Sequence, residues 1–125
     1  MNEEEIGKLI LAAAMKVHTA LGPGLLESTY ETCMAHELGK CELEIKQQVL
    51  LPVFYDNQKL DAGYRLDLLL DNKVIVELKA VEKILPVHTA QLLSYLKLSK
   101  CKLGFILNFN VVHMRDGIKR IVNGL

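Results

Sequence analysis

The residues in this chain whose types and spacing suit chemistry lie together in YRLDLLLDNKVIVELKA, residues 64–80. Read as two strands, Tyr64, Leu66, Leu68 and Leu70 share one face, with Arg65, Asp67 and Leu69 on the other; Val74, Val76, Leu78 and Ala80 lie opposite Ile75, Glu77 and Lys79. Cross-strand partners share a face. Burying both apolar sets together, with Asn72 at the turn centre, therefore sets Asp67 against Glu77, with Lys79 beside them. Opposed carboxylates repel unless something compensates. Lys79 is one compensator. A hard divalent cation is another, since Mg²⁺ prefers carboxylate oxygens and keeps several waters. A metal lowers the pKa of such a water and stabilises charge on a phosphoryl oxygen, and a nearby lysine orients or deprotonates the water. The plainer reading is a solvent-facing charge row, the default for half-exposed strands. The run LDLLLDNKVIVELKA is too apolar for a strand pair with one face in water, which favours a specific partner for the carboxylates.

Two further groups of residues add to this pair. His88, Gln91 and Tyr95 fall at i, i+3 and i+7 on one helical stripe. Gln91 carries donors and an acceptor for a water or phosphate, and Tyr95 can donate to a phosphate. Taken alone, Gln91 also reads as an exposed helix residue and Tyr95 as a partly buried core aromatic, while His88 reads as a polar residue on the surface near a helix start. Glu27 and Tyr30 share a face of an earlier helix. Glu27 is either a stabiliser of the helix dipole or a third carboxylate for a metal.

The elements that must position these residues follow from periodicity. Asn2 can cap a first helix whose opening turn holds Glu3, Glu4 and Glu5, and whose apolar stripe is Ile6, Leu9, Ile10, Ala13, Val17 and Leu21. Gly22-Pro23-Gly24 stops it, and a second helix is expected from about Leu25 to Leu38, with Gly39 as its stop. The run EIKQQVLLPVFYD is extended, with Pro52 marking an edge or bulge. A turn at Asn57-Gln58 leads to KLDAGYRLDLLL, then VIVELKA, as three consecutive antiparallel strands. Pro86 opens a third helix, about Val87 to Ser99. LGFILNF reads as a buried strand, and VVHMR and IKRIV as a final strand pair joined at Asp116-Gly117. The order is α-α-β-β-β-α-β-β, an α/β mixed sheet flanked by helices within one domain over residues 1–125.

Composition bounds the function. No apolar run approaches the ~20 residues of a membrane span, so no membrane role is expected. The acidic start MNEEEIGK is unlike a signal peptide, and Cys33, Cys41 and Cys101 form neither a CxxC pair nor an even set, which fits a reducing cytoplasm. Net charge is formally zero, but residues 1–72 hold 6 basic and 12 acidic side chains while residues 73–125 hold 9 and 3. This asymmetry permits one basic face on a neutral protein.

Asp67 followed by Glu77-Leu78-Lys79 on the next strand resembles the core of the PD-(D/E)XK nucleases. Gln91-Leu-Leu-Ser-Tyr95 resembles the QxxxY element of RecB-type members, and Gly24-Leu-Leu-Glu27-Ser-Thr-Tyr30 matches the motif of the GxxExxY family within that superfamily. The resemblance implies a restriction-endonuclease-like α-β-β-β-α-β core with an extra N-terminal helix, and metal-dependent phosphodiester hydrolysis of DNA. It implies Mg²⁺, with Mn²⁺ as a substitute, bound by Asp67, Glu77, the Leu78 carbonyl and the upstream helix acid Glu27. Lys79 would assist the attacking water, with Gln91 and Tyr95 as the auxiliary helix element. Leu66 replaces the proline of the old PD motif, and three scattered cysteines do not match the four-cysteine iron–sulfur cluster of some relatives. Two alternatives stand beside this: a catalytically silent nucleic-acid-binding module, and an interaction protein that forms a homodimer through its apolar first helix.

Overall fold

The computed structural model describes residues 1–125 as three α-helices, seven strands and a short 3₁₀ turn. Helix α1 (Glu3–Leu21) starts as expected: the Asn2 side chain accepts from the Glu5 N–H at 2.9 Å, and the Glu5 carboxylate accepts the Asn2 N–H at 3.1 Å. Most of its apolar stripe is spent inside the chain: Ile6, Ile10, Ala13 and Val17 are buried in the core with Ala14, while Leu21 at the C-terminal end is exposed. Helix α2 (Glu27–Leu38) follows the bend at residues 22–26. The Tyr30 hydroxyl shapes that bend by donating to the Gly22 carbonyl at 2.6 Å and accepting the Leu25 N–H at 3.2 Å. The Tyr30 ring stacks on Phe109 with centroids 4.4 Å apart.

The main sheet has the order β1-β4-β5-β6-β7, built from β1 (Ile45–Leu50), β4 (Arg65–Leu70), β5 (Val74–Lys79), β6 (Leu103–Asn108) and β7 (Ile118–Val122). Only β5 and β6 are parallel, and helix α3 (Pro86–Ser99) connects them. Helices α1 and α2 cover one face over Leu68, Leu70, Val74, Val76 and Leu78. Helix α3 covers the other over Leu69, Ile75 and Ile106. It sits close because β6 carries Gly104, where a Cβ would lie 3.1 Å from the Leu92 side chain. The run α2-β1-β4-β5-α3-β6 is a restriction-endonuclease-like core, and α1 is the extra N-terminal helix.

Three strand expectations are corrected. The two long extended runs each break, and their distal parts, β2 (Val53–Tyr55) and β3 (Gln58–Leu60), form a separate ribbon outside the main sheet. Pro52 has no N–H for the ladder, and Asp56 and Asn57, both with positive φ (53° and 58°), close a tight hairpin one residue earlier than expected. The segment VVHMR is not a strand. The Val111 carbonyl accepts a hydrogen bond from His18 Nε2 at 2.8 Å, and Met114 is buried in the core, so the backbone folds into a 3₁₀ turn (Met114–Gly117). Strand β7 pairs with β6 instead.

The third correction concerns alternation. Leu66 does not lie with Leu68 and Leu70 under α1 and α2; it packs on the α3 side with Leu69 and Ile75. Tyr64 joins it there, its ring 5.6 Å from that of Tyr95. Strand β1 switches likewise, with Ile45 against the α1–α2 core and Val49 against the α3 core. Both switches fall at one level of the sheet. Gln48, in mid-strand, has φ of 51°, and it and Asp67 are left out of a β1–β4 ladder that is otherwise continuous on either side. A left-handed residue inside a strand reverses the side from which the chain presents its following residues.

Candidate active site

Asp67 thus stands where two strands turn over. The β4–β5 ladder pairs Leu70 with Val74, Leu69 with Ile75 and Leu68 with Val76, and extending that register by one step opposes Asp67 to Glu77, as the hydrophobic pattern predicts. At that step the backbone ladder gives way to side chains. The Asp67 N–H donates to Glu77 Oε2 at 3.1 Å, and the Leu78 N–H donates to Asp67 Oδ2 at 2.8 Å. Each carboxylate therefore takes a backbone hydrogen that a regular sheet would give to a carbonyl. This holds the two acids against each other and opens the end of the hairpin.

Glu77 is buried, and its carboxyl is pushed up to about 9 from an ordinary 4.5. Removal from water is the main cause, followed by the charge and side-chain hydrogen bonding of Asp67; the Asp67 N–H and Lys79 act in the opposite sense. Lys79 ends β5 half-buried, two residues on and on the same face. Its carbonyl accepts the Phe109 N–H at 3.0 Å, which ties the strand end to β6. The chain beyond is clasped by buried Asn108. That side chain accepts the Val81 N–H at 3.1 Å and donates to the Val81 carbonyl at 2.9 Å.

Helix α3 brings Tyr95 to the carboxylates. Its hydroxyl is held above the ordinary phenol range by burial first, then by the charge of Glu77, while Gln91 acts to lower it. A pocket of about 340 Å³ opens between Tyr64 and the Gln91–Tyr95 stripe. His88 does something else: its Nδ1 accepts the Leu85 N–H at 3.0 Å, closing the first turn of α3 behind Pro86. A larger cleft of about 680 Å³ carries Lys83 and Lys119 but also Glu82 and Asp116, so its charges balance.

On the α2 side, the carboxylate that reaches this network is Glu31. Its Oε1 accepts from Gln48 Nε2 at 2.6 Å and its Oε2 from Gln47 Nε2 at 3.1 Å, and Gln48 Nε2 also donates to Asp67 Oδ1 at 3.2 Å. Glu27, one helical turn earlier, is exposed at the start of α2 and makes no hydrogen bond to the pair. Glu31 and Gln48 were not among the residues singled out from sequence. The usable signal was Glu31 at i+4 from Glu27, together with two adjacent glutamines in the strand preceding the hairpin.

The donor set suits a hard divalent cation. Two carboxylates converge, and one is costly to ionise where it stands, a cost that a cation would offset. No group of three or more His, Cys, Asp or Glu is gathered to hold a metal. A cation held by the pair would complete its shell with waters and a backbone carbonyl.

No curated protein and no solved structure matches the chain. The model of the PD-(D/E)XK nuclease superfamily matches residues 4–121, which takes in both helical layers, all five strands of the main sheet short of the last residue of β7, and the carboxylate hairpin. With that match over nearly its full length, the chain belongs to the PD-(D/E)XK nuclease superfamily.

Proposed function

We propose that this chain is one nuclease-like domain that hydrolyses phosphodiester bonds in DNA with Mg²⁺, for which Mn²⁺ can substitute. The observation that carries the reading is the exchange at the end of the β4–β5 hairpin, where Asp67 and Glu77 replace backbone carbonyls and come together beside Lys79. Asp67, Glu77 and the Leu78 carbonyl would hold the cation, and Glu27 is the candidate helix acid by its place in the GxxExxY motif. Bound there, the cation supplies charge stabilisation for a phosphate and a more acidic water. Lys79 orients the attacking water and stabilises the negative charge that develops on it. Tyr95 stays neutral over the working pH range because its pKa is raised, so it remains a donor to a phosphate oxygen. Gln91, one turn before it on α3, offers a second polar group to the same phosphate. Nucleic acid as substrate class rests on the superfamily; DNA is the finer part of the proposal.

The test is cleavage of end-labelled single- and double-stranded DNA with Mg²⁺ and with Mn²⁺, run beside Asp67→Ala and Lys79→Ala. Cleavage by the wild type that both folded variants lose supports the reading. No cleavage with either metal, or equal cleavage by all three proteins, sinks it and leaves a binding role for the same fold.

A further inference from the structure

We propose that Gln48 is a positioning residue for the carboxylate pair, a strap that fixes Asp67 against helix α2 through Glu31. Its purpose rests on the nuclease reading, but its geometry does not. Gln48 holds a left-handed backbone, φ 51°, in mid-strand. That conformation is costly for a residue with a Cβ and persists only where the surroundings demand it. No turn requires it, because the β1–β4 register is the same on both sides of Gln48.

Two features go with the conformation. It accompanies the change of face that puts Val49 on the α3 side, level with the switch of Leu66 on β4. It also brings the Gln48 side chain across to the acids, where Nε2 divides its two hydrogens between Glu31 Oε1 at 2.6 Å and Asp67 Oδ1 at 3.2 Å. Those two acceptors fix the orientation of the amide, since its oxygen facing either carboxylate would be repelled. Asp67 is then held at both oxygens, Oδ1 by Gln48 and Oδ2 by the Leu78 N–H at 2.8 Å. A carboxylate fixed in this way loses little rotamer freedom when it takes a ligand, and outer hydrogen-bond partners of metal-binding groups typically contribute about 10–100-fold in affinity.

Gln48→Gly separates the two functions of this residue, since glycine accepts the left-handed backbone but has no amide to offer. In the intact, metal-free chain we expect a melting temperature at or above that of wild type, with faster hydrogen exchange at the Leu78 amide as Asp67 swings free. Calorimetric titration with Mn²⁺ in the absence of DNA should show affinity weakened about tenfold or more. Gln47→Ala, which removes a contact to Glu31 only, should leave Asp67 and the Mn²⁺ affinity as they are. Should Gln48→Gly lose its fold, Glu31→Ala cuts the anchor instead and should move the same two readouts in the same direction. Unchanged Leu78 exchange in a folded variant overturns the strap. So does unchanged Mn²⁺ affinity in Gln48→Gly where the wild type binds the metal. A wild type that binds no Mn²⁺ removes the nuclease reading, and the Leu78 exchange rate then decides the strap by itself.

Discussion

Glu77 is where the proposed chemistry meets stability. Its carboxylate is out of water and faces Asp67, so the folded, metal-free chain favours the protonated acid, pushed up to about 9. Glu77→Gln keeps an oxygen to accept the Asp67 N–H and removes the charge. In metal-free buffer at about pH 8 it should stabilise the fold by on the order of 1–4 kcal/mol, a rise in Tm of at least about 3 °C by calorimetry. A Tm at or below that of wild type would falsify this account of Glu77, because it would mean the ionised carboxylate is already well accommodated. The same variant should lose DNA cleavage, as should Asp67→Ala and Lys79→Ala, each by about a hundredfold or more at unchanged fold. Residual cleavage above a tenth of wild type in Lys79→Ala would remove Lys79 from the reaction. At this scale much was legible: the alternation of Leu68, Leu70, Val74, Val76 and Leu78 set the register that opposes Asp67 to Glu77. Glu31 was not legible, because an acid on a helix face reads the same in sequence whether it meets water or two glutamines from a distant strand.

The elements hold the site through a few polar contacts between segments far apart in the chain. Asn108 clasps the segment after β5, and the Asn108 carbonyl lies so close to Gly117 that a Cβ there would sit 2.0 Å from its oxygen. Gly117→Ala must therefore push the 3₁₀ turn away from β6. We expect a loss of about 2 kcal/mol, read as a lower urea midpoint; an unchanged midpoint would show that the turn can move freely. Tyr30→Phe removes the hydroxyl that ties Gly22 to Leu25. It should cost about 1–2 kcal/mol and increase hydrogen exchange at the first turn of α2, and unaltered exchange there would argue against a shaping role for the hydroxyl. Helix starts and stops were readable from Asn2, Pro86 and Gly39, since caps are local chemistry. The strand VVHMR was misjudged because local β propensity could not anticipate that His18, 93 residues earlier, takes the Val111 carbonyl.

For the whole molecule, the buried acid predicts a pH dependence. Between the ordinary carboxylate value of 4.5 and about 9, the folded chain binds one more proton at Glu77 than the unfolded chain does. Stability from this group is therefore fully present below about 4.5 and is lost as pH rises through about 9. Urea midpoints measured from about pH 5 to about pH 9 should fall for wild type relative to Glu77→Gln, the gap widening with pH. Saturating Mg²⁺ should narrow it, since binding to the folded state stabilises by mass action. A gap that stays constant across the range, with or without Mg²⁺, would dissociate Glu77 from both proton and metal. The first helix bears on assembly at this scale: Ile6, Ile10, Ala13 and Val17 of its apolar stripe are buried within the chain, while Leu21 is exposed.

Sequence alone determined the helices, the carboxylate hairpin and its register, because periods of 3.6 and 2 and turn chemistry are local properties; the likeness to PD-(D/E)XK nucleases rested on short motifs quoted from the chain. Tertiary structure decided the rest. The face switch at Gln48 and Asp67, the burial that raises Glu77, and the bridge from Glu31 through Gln48 to Asp67 all join residues distant in the chain. A left-handed glutamine in mid-strand runs against local preference, and only the packing of two helical layers on one sheet makes it the lower-energy choice.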